Sequence, residues 1–175
     1  MSGEGENPDK LQALRDGIAS AATPAERAKA QMLLANEIWL SDPTAAKPLL
    51  EQLIAEADAA GEKEAWSKAA YMLSYLLLNA GDLDGSARHA ELLLRHAEAT
   101  GDRQCRANAL YRIGHVHRQR GELQRAIECY EECVRISREI GNRKIEYSAL
   151  STLASVYGEQ GITRRPWYTL GRPWM

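Results

Sequence analysis

Apolar residues along this chain recur three and four positions apart. Leu11, Leu14 and Ile18 fall at helical spacing, and so do Ala70, Leu73 and Leu77, then Leu150, Leu153 and Tyr157. That rhythm places side chains on one face of an α-helix. The polar stretches between carry a fixed punctuation: Gly61, Gly81, Gly101, Gly121, Gly141 and Gly161 stand 20 residues apart. Glycine is favoured just past a helix end, where the backbone turns left-handed. Glu62, Asp82, Asp102, Glu122 and Asn142 follow the first five. Asp and Asn there suit the start of a new helix, because a side-chain oxygen accepts from unpaired backbone N–H groups and negative charge complements the dipole. The pattern predicts helices of about 16 or 17 residues, each ~25 Å long, joined by tight turns.

Alternate segments resemble each other. Gly-Asp-Arg at 101–103 returns as Gly-Asn-Arg at 141–143, and Gly-Asp-Leu at 81–83 returns as Gly-Glu-Leu at 121–123. The unit is therefore two helices in 40 residues, a stack of helical hairpins. Upstream, Thr23-Pro24-Ala25-Glu26 reads as a capped helix start and Asp42-Pro43 as another. Pro48 removes a backbone bond inside the second of these helices, which is expected to begin late or bend. The chain divides into a polar N-terminus with a short leading helix (1–22), about 3.5 repeats (23–161) and an irregular tail (162–175). Seven core helices are expected between Pro24 and Gln160.

The composition narrows the function. Hydrophobic residues make up 45% and charged residues 26% of 175, and the formal net charge is -2. A balanced chain of this kind lacks the basic excess that nucleic-acid binding needs. No stretch approaches the roughly 20 apolar residues that cross a bilayer, and the first ten residues lack a signal peptide's apolar core. Three cysteines fit no metal-site spacing, so a reducing, cytoplasmic location is the expectation.

Residues 107–137, ANALYRIGHVHRQRGELQRAIECYEECVRIS, resemble a tetratricopeptide repeat. Leu110, Ile113-Gly114 and His117 stand at the first-helix positions of that family, and Ala126, Tyr130 and Cys133 at those of the second helix. The match repeats with Ala70, Leu73, Leu77, Ala90 and Leu93, and begins again with Leu150, Leu153-Ala154 and Tyr157. A 40-residue period is similar to the subgroup found in polarity adaptors, kinesin light chains and bacterial signalling proteins. The resemblance implies an all-α fold, a right-handed α-solenoid of stacked antiparallel hairpins. It also implies a binding module that takes a peptide or partner protein in a concave groove. The alternative is a sensory or regulatory domain of a bacterial signalling protein whose output domain is not in this chain.

In that family the groove residues fall at spacing 3, 4, 3 along each first helix. Carried over, they are Lys68, Tyr71 and Tyr75, then Asn108, Tyr111, His115 and Arg118 with Arg112 beside them, then Ser148, Ser151, Thr152 and Ser155, with Glu159 following. Gln31 and Asn36 extend the line upstream. Lys68, Arg112 and Arg118 form a basic centre that suits a ligand with an acidic group, since Arg offers forked donors to carboxylates. Only fragments of the family's peptide-carboxylate clamp are present, so a C-terminal chaperone tail is not the expected ligand.

Other chemistry is thin. His115 and His117 lie about 200° apart around a helix and cannot share one ion unaided. Cys129 and Cys133 suit small buried hydrophobes. Cys105 stands near a helix start, where a lowered thiol pKa is conceivable, but no base accompanies it. There is no phosphate-cradling loop and no nucleophile elbow. Glu131 and Glu132 read as a solvated face. No enzyme activity, cofactor or metal is expected. At the C-terminus Pro166, Gly171 and Pro173 preclude a further long helix. Leu150, Leu153 and Tyr157 would then lack cover, and the tail, with Trp167, Tyr168, Leu170 and Trp174, is expected to fold back on them or to support self-association.

Overall fold

The computed structural model describes residues 8–160. They form eight helices: α1 (Pro8–Ser20), α2 (Pro24–Ile38), α3 (Pro43–Ala60), α4 (Lys63–Asn79), α5 (Leu83–Thr100), α6 (Arg103–Gln119), α7 (Leu123–Glu139) and α8 (Arg143–Glu159). No strand occurs among the described residues. The seven expected core helices are α2 to α8, and α1 is the leading helix, with Leu11, Leu14 and Ile18 half-buried.

The punctuation does what glycine and the capping residues predict. Gly61, Gly81, Gly101, Gly121 and Gly141 all have positive φ, between 70° and 81°. Asp42, Asp82, Asp102 and Asn142 each accept from the backbone N–H three residues on, at 3.0, 2.7, 2.9 and 3.1 Å. Glu62 and Glu122 make no such bond, and their longer side chains suit the position less well. At α2 the reciprocal cap is complete: the Glu26 N–H donates to Thr23 Oγ1 (3.2 Å), and the Thr23 N–H donates to Glu26 Oε2 (3.1 Å). Helix α3 begins at Pro43 and continues through Pro48, so the expected late start does not occur. With Asp42 capping the first turn, one missing donor at Pro48 is tolerated.

The described chain separates into two compact units, 8–80 and 81–160. In the first, α1 lies on α2, α2 packs on α3 and α4, and α3 packs on α4. Its core holds Leu50, Leu53 and Leu73, none with any exposed surface, closed in by Ala28, Ala35, Ala46, Ala57, Ala69 and Ala70. In the second, α5 packs on α6, α6 on α7, α7 on α8, and α6 meets α8. One cluster joins Ala107, Cys133, Val134, Ile136 and Ala149; another joins Ala126, Ile127, Tyr130, Leu153 and Val156. Tyr111 packs against both. Gly114 explains how α7 approaches α6: a Cβ there would meet Tyr130 Cε1 at 2.7 Å, closer than two carbons tolerate.

The end of the fold differs from expectation. Leu153 is buried against α7, Tyr157 packs on the same cluster and Leu150 on the one around Cys133 and Ala149, and the Tyr157 hydroxyl donates to Glu131 Oε1 at 2.6 Å. These residues face inward rather than forming a bare apolar end. Glu131 therefore has a structural partner, and Glu132 pairs with Arg135 and Arg106. Neither is merely solvated. Among the large hydrophobics of α8, Tyr147 is the exposed one, at 76%. Gly161 and the tail 162–175, on which fold-back and self-association were expected, lie outside the described residues.

Candidate functional site

The predicted site residues lie in both units. On α4, Lys68 is exposed and pairs with Glu64 one turn away (2.6 Å). Tyr71 and Tyr75 are half-buried, and Tyr75 meets Trp39 edge-on with ring centroids 5.2 Å apart. Trp39 is a contributor that the repeat pattern did not single out, because it stands at the end of α2 rather than on the groove line. Gln31 is fully buried, and neither its amide nitrogen nor its carbonyl oxygen has a hydrogen-bond partner among the described residues. A fully buried side chain cannot line an open groove.

In the second unit α6 and α8 run side by side, and a ladder of polar contacts joins them. At one end Asn142 Nδ2 donates to Gln104 Oε1 (2.6 Å) while Asn142 Oδ1 caps α8. Gln104 in turn donates to Asn108 Oδ1 at 3.4 Å. In the middle, Tyr111 and Thr152 share a hydrogen bond of 3.3 Å. The Thr152 hydroxyl gives its proton to the Ser148 carbonyl (2.9 Å), so Tyr111 is the donor. At the far end Arg118 donates to Ser155 Oγ (2.9 Å) and grips Glu159 through two nitrogens. Ser151 and Ser155 are exposed; Asn108, Tyr111, His115, Arg118, Ser148 and Thr152 are half-buried. The structure thus brings the α6 and α8 candidates onto one surface.

Arg112 departs from its expected place beside the groove. Only 5% of it is exposed, and its guanidinium lies 5.6 Å from the Tyr111 ring centroid. Its removal would open a hole in packed structure, so it is a poor probe of binding alone. His115 sits edge-on to Tyr111 and Tyr130, with centroids 4.6 and 5.5 Å away. Burial, then the charges of Arg112 and Arg118, push its pKa down to about 4, so the imidazole is neutral at neutral pH. His117 points elsewhere, its Nδ1 lying 2.6 Å from Glu122 Oε2. The expected basic centre of Lys68, Arg112 and Arg118 is thereby moderated: Lys68 and Arg118 are ion-paired, and Arg112 is buried.

Cys105 and Cys133 sit as small core residues, and Cys129 is half-buried. Burial, then Asp102, pushes Cys105 up to about 11; burial, then Glu128, does the same to Cys129. Burial pushes Cys133 up to about 12. The lowered thiol pKa considered for Cys105 is corrected: lying 3% exposed under Leu93, it is held as a thiol. A separate hollow of about 150 Å³ between α5, α6 and α7 is lined by Arg103, Arg106 and Arg135 among others. Glu132 and Glu139 already pair with these arginines, so it presents no unmatched positive charge. No helix among the described residues is long and apolar enough to cross a membrane.

Comparison with known proteins follows this geometry. No curated protein matches the chain. Solved structures match it at fold level. The apo form of RapI aligns over 86% of this chain and 43% of its own length, with a TM-score of 0.76 and 12% identity. The chain thus spans less than half of RapI. The nearly identical TPR-like repeats of a Podosopora anserina kinesin light chain align over 89% of this chain and 79% of theirs, with a TM-score of 0.66 and 17% identity. A family model of the tetratricopeptide repeat matches residues 67–139 and 105–164, which together cover more than half of the 175 residues. The chain belongs to the tetratricopeptide repeat family.

Proposed function

We propose that this chain is a protein–protein interaction module that holds a peptide or a segment of a partner protein across the α6–α8 face, with Lys68, Tyr71 and Tyr75 of α4 as a second contact surface. The α6–α8 ladder supports this reading best. Asn108, Tyr111, His115, Arg118, Ser148, Ser151, Thr152 and Ser155 form one accessible surface of amides, hydroxyls and rings. Side chains of this kind bind peptide backbone and side chains without needing a deep cavity. Tyr111, Thr152, Arg118 and Ser155 are already positioned by bonds between the two helices, which lowers the entropy cost of binding. The family supplies the general role, since its repeats mediate protein interaction. A second reading, a regulatory repeat domain serving an output domain elsewhere, draws on the partial coverage of RapI and uses the same surface.

The test is to pan a random peptide library on the intact chain and on Ser151→Arg. Ser151 is exposed, so a long side chain there covers the face without disturbing the core. Peptides enriched on the parent and lost on Ser151→Arg are the expected result. No enrichment, or equal binding to both proteins, would place the function elsewhere.

A further inference from the structure

Glu159 is in an electrostatically poor place. It ends α8, where the last carbonyls carry partial negative charge and a cation is preferred. The last turn of α8 holds no basic residue to offset it. What holds the carboxylate is Arg118, across the gap from α6: Nη2 and Nε donate to its two oxygens, and Nη2 also donates to Ser155 Oγ. That is the forked grip with which a guanidinium binds any carboxylate. Both partners are accessible, with 30% and 40% of the Arg118 and Glu159 side chains exposed.

Two further observations fall on the same spot. The charges of Arg112 and Arg118 are both felt at His115, so positive potential converges on this end of the face. Beneath it the Tyr130 hydroxyl, fully buried, has no hydrogen-bond partner among the described residues, and it senses Tyr111, Arg118 and Arg112. A buried hydroxyl without a partner thus lies within reach of both guanidinium charges. The surroundings favour an anion, and Glu159 is the one the chain supplies.

We infer that Arg118 is the acid-selecting residue of the α6–α8 face, and that Glu159 is its built-in competitor, displaced when an Asp or Glu side chain of a bound peptide takes Arg118 and Ser155. The inference rests on the reading of that face as the peptide site. An accessible ion pair holds its geometry weakly, by about fivefold at most, so Glu159 can swing into solvent while an incoming carboxylate takes over its bonds. The competitor would set a threshold: neutral peptides gain nothing at this end, and acidic ones gain only the difference between their grip and that of Glu159.

The experiment takes an acidic peptide selected on the intact chain and its analogue with Asp or Glu replaced by Asn or Gln. Both are titrated by calorimetry into the parent, Glu159→Gln and Arg118→Gln, each shown by circular dichroism to be folded. The acidic peptide should bind the parent about tenfold more tightly than the neutral one, since a charged acceptor is lost in the analogue. Glu159→Gln should tighten the acidic peptide about threefold to fivefold and leave the neutral one unmoved. Arg118→Gln should erase the difference between the two. A merely structural Glu159 would shift both peptides equally, and that result overturns the inference, as does equal binding of both peptides by the parent. If selected peptides survive Ser151→Arg, the reading of the face fails first and the inference with it.

Discussion

Position 31 on α2 and position 111 on α6 occupy the same place in the repeat, eighty residues apart, yet their side chains have different surroundings. Tyr111 is half-buried, gives its hydroxyl proton to Thr152 on the next first helix, and turns its ring edge toward His115 and Tyr130. Gln31 is wholly buried with neither end of its amide bonded. The contrast runs through the two units. In residues 81–160, first helices are tied by polar contacts at separations of 37 to 41 residues. In residues 8–80 the core is mostly leucine and alanine with Met32, Ile38, Trp66 and Met72, and the cation of the groove line, Lys68, pairs along its own helix. The frame sets where a side chain stands; the neighbouring helix decides whether it faces a partner, a ring or nothing polar.

The largest effect that would break this contrast is expected at Tyr130. Its ring joins the apolar cluster of α7 and α8 to the aromatic group of Tyr111 and His115. Tyr130→Ala should cost about 3–5 kcal/mol, as other large-to-small core changes do. Chemical denaturation would measure it. A loss under 1 kcal/mol would mean that the second unit is not organised around this ring.

Next comes Glu146, whose carboxylate accepts from Arg138 Nε (2.7 Å) and from Arg143 (3.0 Å) while only 8% of the residue is exposed. Burial acts to raise its pKa, but the bonds to Arg138 and Arg143 outweigh burial and hold it below the usual 4.5. A carboxylate with a depressed folded-state pKa adds stability above its unfolded value and loses it as pH falls through the folded one. The parent should therefore lose stability as pH drops below about 4.5, and Glu146→Gln should lose less over the same range. At neutral pH the variant should be weaker by about 2 kcal/mol, the worth of a charged hydrogen bond. Parallel pH profiles of the melting temperature for the two proteins would rule this out.

Gly114→Ala follows. Alanine gains about 0.5–1 kcal/mol of helix propensity over glycine, yet its methyl would strike the Tyr130 ring, which is buried and has no room to swing. Overpacking of this kind costs about 1–3 kcal/mol, so a net loss near 1–2 is expected. Gly158→Ala on α8 is the control, because nothing lies within 4 Å of its added carbon. If both changes stabilise the protein, α6 and α7 do not pack as closely at Gly114 as the Tyr130 contact implies.

The fold was legible because the helix ends from α3 to α7 carry a local signal: a glycine for the left-handed turn, followed at Asp82, Asp102 and Asn142 by a cap for the next helix. These are local properties, written in adjacent residues. Core positions such as Leu73, Leu93 and Cys133 were legible too, since periodicity alone marks them. The site was legible only as a line of positions. Nothing in the sequence near Arg112 says that it turns inward while Arg118, six residues later, turns out to meet Glu159. The Glu146–Arg138 pair was not legible, because pairing between α7 and α8 depends on how two helices settle against each other. The inward packing of Leu150 and Tyr157 belongs to the same class: which side of α8 faces α7 is a tertiary fact.

Gln31 sharpens the comparison at the smallest scale. A buried amide with no partner has lost its bonds to water without replacement, which costs more than an ordinary hydrogen bond returns. Methionine has similar length, no donor or acceptor, and adapts its shape to irregular space. Gln31→Met should therefore stabilise the chain by about 1 kcal/mol, raising Tm by roughly 2–4 °C for a protein of this size. The matched change in the second unit is Tyr111→Phe, which removes a bonded hydroxyl and leaves Thr152 without its donor, so it should move Tm the other way by a similar amount. Opposite signs at two positions that the repeat makes equivalent are the outcome expected from their different neighbours. If Gln31→Met is destabilising, the amide is satisfied in solution, and the two units are more alike than the buried, unbonded Gln31 implies.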